Sequence, residues 1–138
     1  MNQILVWSLS SNFTLYFKAA SDLSTITCCD TLTVTLEHGD QSIDLVSDLR
    51  CCDVAKLKES FDHLVTKKQQ SVQFADLFSF CADQFGQILV EIKKQGVPIC
   101  YQIIDLPTVQ AWARQLDLLH VLMEENELEK KSRDKGCC

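Results

Sequence analysis

Glycine and proline are scarce in this chain, four and two respectively in 138 residues. Collagen-like, linker-rich and low-complexity organisation each need those residues in quantity and are excluded. Long hydrophobic runs are missing as well. The apolar stretch Ile4 to Leu9 spans six residues, and no run approaches the ~20 a membrane helix needs. No side-chain positive charge precedes that stretch and no small-residue cleavage site follows it, so the expectation is a cytoplasmic protein with no signal peptide. Basic residues are outnumbered: 13 Lys and Arg stand against 19 Asp and Glu, for a net charge of -6 and a pI near 4.9. Such a field repels phosphate backbones and attracts basic partners, which argues against nucleic acid as a partner, and the lack of a long apolar run argues against the membrane. Catalytic signatures are lacking too. The chain holds no G-x-x-x-x-G-K-[ST] phosphate loop, no G-x-S-x-G elbow and no C-x2-4-C knuckle. No cofactor and no metal are expected.

What is present begins with 46% apolar residues, a globular composition, in a length that suits one domain. A fold of this size buries roughly two thirds of the surface its unfolded chain exposes, enough for a core without disulfides or metal. Cysteine is abundant, eight in all, as Cys28-Cys29, Cys51-Cys52, Cys81, Cys100 and Cys137-Cys138. With no export signal, the expectation is that most are reduced, partly buried, small apolar residues. The terminal Cys-Cys resembles the doubly prenylated ends of small GTPases. The missing phosphate loop removes that reading, leaving an ordinary tail.

Alternation marks the strands. Ile4 to Leu9 is the first. In Phe13 to Lys18, Phe13, Leu15 and Phe17 share a face; in Thr31 to Glu37, Leu32, Val34 and Leu36 point inward and Thr33 and Thr35 outward. His38-Gly39-Asp40 forms a turn, and Gln41 to Val46 returns with Ile43 and Leu45 on the apolar face. Asp53 opens a helix to about Lys67, with Val54, Leu57, Phe61, Leu64 and Val65 at helical spacing. Ser71 to Leu77 is a strand that continues or bends into Phe78 to Asp83. Gln87 to Lys93 places Ile88, Val90 and Ile92 inward, and Pro98 to Ile104 does the same for Ile99, Tyr101 and Ile103. Connections this short make the strands an antiparallel meander. Asp105 and Pro107 start a closing helix whose stripe is Val109, Trp112, Ala113, Leu116, Leu119, His120 and Met123, widened by Leu118 and Leu122. The predicted fold is α+β: an antiparallel meander or sandwich with two packed helices, the second near the C-terminus. Residues 1–123 form the single domain and 124–138 a charged tail. The residues show no internal repeat.

Charge is uneven along the chain. Residues 1–50 hold two basic side chains against six acidic, while residues 51–104 balance. Glu37, Asp40, Asp44 and Asp48 fall on the hairpin and form a candidate docking surface for a basic partner, with Tyr16, on the polar side of its strand, as an aromatic anchor. Three histidines, His38, His63 and His120, are spread over a turn and two helices, and no pattern links one to a nucleophile. No catalytic residue is assigned and the chain is not expected to be an enzyme.

From Gly39 to Leu119 the layout resembles immunity proteins of bacterial polymorphic-toxin and contact-dependent growth inhibition systems. The likeness is carried by the strand QSIDLV, the helix DVAKLKESFDHL, the stretch SVQFADL, the meander GQILVEIKKQGVPICYQI and the helix LPTVQAWARQLDLL. It implies a cytosolic antidote that binds a cognate protein toxin domain, basic and of the nuclease type, and performs no catalysis. Two readings stand beside it. One is a secretion chaperone, also small and acidic but helix-first in layout. The other is a small-ligand-binding protein or enzyme on a curved sheet, which a pocket lined by Tyr101, His63 or a cysteine would favour.

Overall fold

The computed structural model describes residues 1–134. Strands β1 (Asn2–Ser8), β2 (Phe13–Ala19), β3 (Leu32–His38) and β4 (Gln41–Leu49) form an antiparallel sheet in chain order, and helix α1 (Cys51–Val65) follows. Strands β5 (Ser71–Phe74), β6 (Phe78–Ala82), β7 (Gln87–Lys94) and β8 (Val97–Asp105) form a second antiparallel sheet, and helix α2 (Leu106–Asp134) follows. This is the α+β meander architecture that the patterning predicts, as two sheets. The order of four strands and a helix occurs twice. The residues carry no matching repeat, so the duplication is one of topology.

Local chemistry fixes the ends of these elements. The first hairpin turns at Gly39, whose φ of 60° is cheap only for glycine. The β7–β8 hairpin turns on Gln95 and Gly96, both at positive φ (51° and 81°), as a type I′ turn requires. Asp53 acts at the start of α1 as expected, but from inside it. Its Oδ2 accepts the Arg50 N–H at 2.9 Å, and the helix begins two residues earlier, at Cys51. At its other end α1 stops at Val65, so Lys67 lies beyond it in a turn at φ 60°. Ser71 to Leu77 does not run on as one strand. It breaks after Phe74 at Ala75 (φ 50°), and β6 folds back on β5. Asp105 caps α2, accepting the Thr108 N–H at 2.9 Å and its hydroxyl at 2.5 Å.

One aromatic cluster joins both sheets to both helices. Trp7 of β1 stacks on Trp112 of α2 with centroids 4.4 Å apart, and packs against Phe17 and Phe61. Phe61 of α1 meets Phe80 of β6 edge-on at 4.9 Å. The Trp7 indole N–H donates to Gln115 Oε1 at 2.7 Å, so burial leaves no orphan donor there. Val54, Leu57, Phe61 and Leu64 on α1 and Val109, Trp112, Ala113, Leu116, Leu119 and Met123 on α2 are buried as their spacing predicts. Full burial of such side chains contributes about 1.5–3 kcal/mol each.

Three expectations need correction. Leu118 does not widen the α2 stripe; it is 70% exposed, on the far side from the packed face. The polar segment from Glu124 is no frayed tail up to Asp134, because α2 continues through it. Glu127 is buried there, and the Asn126 side-chain amide donates to the Ile26 carbonyl at 2.8 Å, pinning the β2–β3 loop to the helix. Cys137 and Cys138 lie outside the described residues. The third correction is the phase of β8. A regular two-residue hairpin would set Ile92 opposite Ile99. A bulge shifts the register so that Ile92 faces Cys100, Val90 faces Gln102 and Ile88 faces Ile104. One residue of slip turns every side chain over. Cys100 and Ile104 are therefore buried, while Ile99, Tyr101 and Ile103 lie outward.

Candidate functional site

The outer face of the first sheet gathers most of the residues singled out by charge. Cross-strand pairing places Val6, Tyr16, Thr35 and Asp44 in one row, and Ser8, Thr14, Glu37 and Ser42 in the next. Tyr16 and Glu37 sit diagonally across β2 and β3, and their side chains hydrogen-bond. That bond, some burial and the negative charge of Glu37 together raise the Tyr16 hydroxyl above its ordinary value, so it remains a protonated donor. Thr35, on the central strand, donates its hydroxyl to Asp44 Oδ1 at 3.0 Å and is buried beneath its neighbours. The expectation of an outward Thr35 holds for direction only. Lys18 holds its Nζ 5.4 Å from the Tyr16 ring centroid.

Thus Tyr16, Glu37 and Asp44 come together, with Thr35 as an unforeseen member that fixes the Asp44 rotamer. Asp40 stands exposed in the β3–β4 turn. Asp48 is exposed near the opposite end of β4. Asp40 and Asp48 are each four residues from Asp44, about 13 Å along the strand at the usual rise per residue, so both stand outside the Tyr16 row. Sequence alone carried a signal for Thr35, since it shares the outward alternation with Glu37. Its pairing with Asp44 follows from the regular register of the two-residue turn at Gly39-Asp40, and the shift between Val34 and Thr35 comes only after it.

The chemically reactive side chains are scattered. His38 stacks on Phe13 with centroids 4.2 Å apart. His63 lies 3.8 Å from Glu59, and His120 is 2.9 Å from Glu124. Each imidazole thus faces an aromatic ring or a carboxylate one turn away. Among the described residues no three His, Cys, Asp or Glu side chains are grouped to hold a metal ion. Cys28, Cys51, Cys52, Cys81 and Cys100 are free thiols; Cys29, whose sulfur lies 3.3 Å from Glu127 Oε2, is not one of them. Cys52 and Cys81 are exposed, against the expectation of partial burial, because each faces away from its packed side. Cys28 and Cys51 bring their sulfurs to 2.8 Å. Burial, then the neighbouring Cys28, pushes the Cys51 thiol up to about 12. It is the first residue of α1, where the helix dipole favours a thiolate, and burial outweighs the dipole.

One cleft of about 290 Å³ is lined by His120 and Glu59, with Lys58, Asp62 and Asp117; two others lie away from the histidines and thiols. One of about 310 Å³ lies between Leu64 at the end of α1 and Ile88 and Leu106. Another, of about 330 Å³, lies between the β2–β3 loop and Asn126. Neither contains Tyr101, His63 or a cysteine. Tyr101 is 57% exposed on the outer face of the second sheet, beside Leu89, Ile99 and Ile103. Sequence patterning missed the exposure of Ile99, Tyr101 and Ile103, since all three were assigned to the core; Glu91 pairs directly with Tyr101 on this face. Among the described residues no helix is long and apolar enough to cross a membrane. No family model matches this chain, and no curated protein or solved structure is significantly similar to it.

Proposed function

We propose that the protein is an immunity protein: a cytosolic, non-catalytic antidote that binds and covers one basic toxin domain of the nuclease type. The observation that carries this reading is the Tyr16–Glu37–Asp44 cluster on an open sheet face. A small substrate is held in a concave site that removes most of its surface from water. An open face with an aromatic centre and an acidic surround suits a macromolecule of opposite charge. Exposed ion pairs contribute only about 0.2–1 kcal/mol each. In this reading the carboxylates therefore set association rate and orientation, and affinity comes from desolvating Tyr16 and the half-exposed Val6. The scatter of histidines and thiols supports the non-catalytic part of the proposal.

The test needs the toxin domain encoded beside this chain's gene, produced in an inactive form. Binding of the wild type is compared with Asp40→Lys/Asp44→Lys at two salt concentrations. The expected result is an association rate about tenfold or more lower at low salt, with the gap closing at high salt. Unchanged affinity and association rate would remove this face from the interface.

A further inference from the structure

We propose that β8 is a self-association edge, along which a second copy of this chain pairs antiparallel about a two-fold axis at Tyr101. The sheet order leaves nothing beyond β8. The strand is nine residues long, and its proline and bulge lie at one end only. From Cys100 to Ile104 it carries no charge and no proline, the devices that normally blunt an exposed edge. Its backbone is phased for pairing. The Leu106 N–H bonds the Gly86 carbonyl at 3.1 Å, which sets the alternation of the β7–β8 ladder. Cys100, Gln102 and Ile104 thus turn their backbone groups toward β7, and Tyr101, Ile103 and Asp105 present theirs to the open edge.

The same residues carry the exposed apolar side chains. Tyr101 is 57% and Ile103 63% exposed. A two-fold at Tyr101 sets the two Tyr101 side chains opposite each other and Ile103 opposite Ile99 of the second copy, pairs of the kind that stabilise sheets. Charge selects a second copy as the occupant. Asp105 closes one end of the strand, and exposed Lys94, paired with Val97, closes the other. Antiparallel pairing brings Asp105 toward the Val97–Pro98 end of the second copy, past the bulge at Ile99. Lys94 is then two strand spacings away, about 10 Å between backbones and within reach of a lysine side chain. The contact occurs twice by symmetry. This edge lies on the second sheet and is independent of the acidic face on the first.

Sedimentation of the full chain over a concentration series tests the pairing. The wild type should sediment as a dimer, and Ile103→Lys as a monomer with unchanged circular dichroism. Register is tested with Tyr101→Cys in a Cys52→Ser/Cys81→Ser background, beside that background alone. Oxidised glutathione should convert the two introduced thiols, one from each copy, to an inter-copy disulfide, releasing two reduced glutathiones. Val97→Cys, which lies toward Asp105 of the second copy, should not link. A wild type that stays monomeric at every concentration, leaving the edge to solvent or to another protein's strand, would overturn the proposal. So would a dimer in which Tyr101→Cys remains unlinked.

Discussion

Trp112 lies flat on Trp7, with ring planes 3° from parallel and only 5% of its surface exposed. Removing it empties the junction between α2 and the first sheet, so Trp112→Ala should cost about 3–5 kcal/mol in urea denaturation. A midpoint equal to the wild type's would show that this ring is not core. Cys51 gives a second residue-scale prediction. Its thiol is raised by burial and by Cys28, so folding disfavours the thiolate. The stability tied to the protonated thiol is complete below the unfolded value near 9 and is lost as pH rises toward about 12. Melts taken across that range should show the difference between wild type and Cys51→Ala shrinking with pH. At mildly alkaline pH, iodoacetamide should modify the exposed Cys52 and Cys81 well before Cys51, as peptide mass mapping would read. The outward placement of Tyr16 was legible from the polar side of an alternating strand. The burial of Thr35 was not: the turn at Gly39-Asp40 sets it opposite Asp44, but alternation alone assigns it to the exposed face.

Helix α2 shows what an element's sequence can and cannot say. Its start was written in Asp105 and Pro107, and its inner face in the spacing from Val109 to Met123. Its end was not, because the polar residues after Glu124 read as solvated. They are ordered by contacts that only the fold creates, with Ile26 and Cys29 on the β2–β3 loop. Asp105→Ala tests the start. Hydrogen bonds from the Thr108 hydroxyl and N–H hold the Asp105 carboxyl below its usual value. Its contribution is therefore present above the unfolded value of 3.8 and is lost as pH falls through the lower folded value. The variant should melt below the wild type at neutral pH, and the two should converge in strong acid. A deficit of the same size at every pH would mean the carboxylate is not the cap. Strand β8 failed differently. Both of its faces carry apolar residues, so alternation fits either phase, and a bulge at Ile92–Lys93 decides between them.

At the scale of the molecule, the two four-strand-and-helix units share one aromatic core through Trp7, Phe61, Phe80 and Trp112. The strand-rich, antiparallel character was legible because the connections are too short for parallel crossovers. The division into two sheets stayed open between meander and sandwich, because α1 is a break in the strand series that a single larger sheet would also accommodate. The outer faces differ in chemistry. The first presents Tyr16 among carboxylates, and the second presents Tyr101 among isoleucines and Leu89. The first is the face on which the functional account rests. Its most direct test is the binding of Tyr16→Ala and of Asp40→Lys/Asp44→Lys to the adjacent-gene toxin domain, measured by surface plasmon resonance at low and high salt. The account predicts that Tyr16→Ala speeds dissociation about tenfold or more at both salts, while the charge reversal slows association only at low salt. Wild-type kinetics in both variants would contradict it.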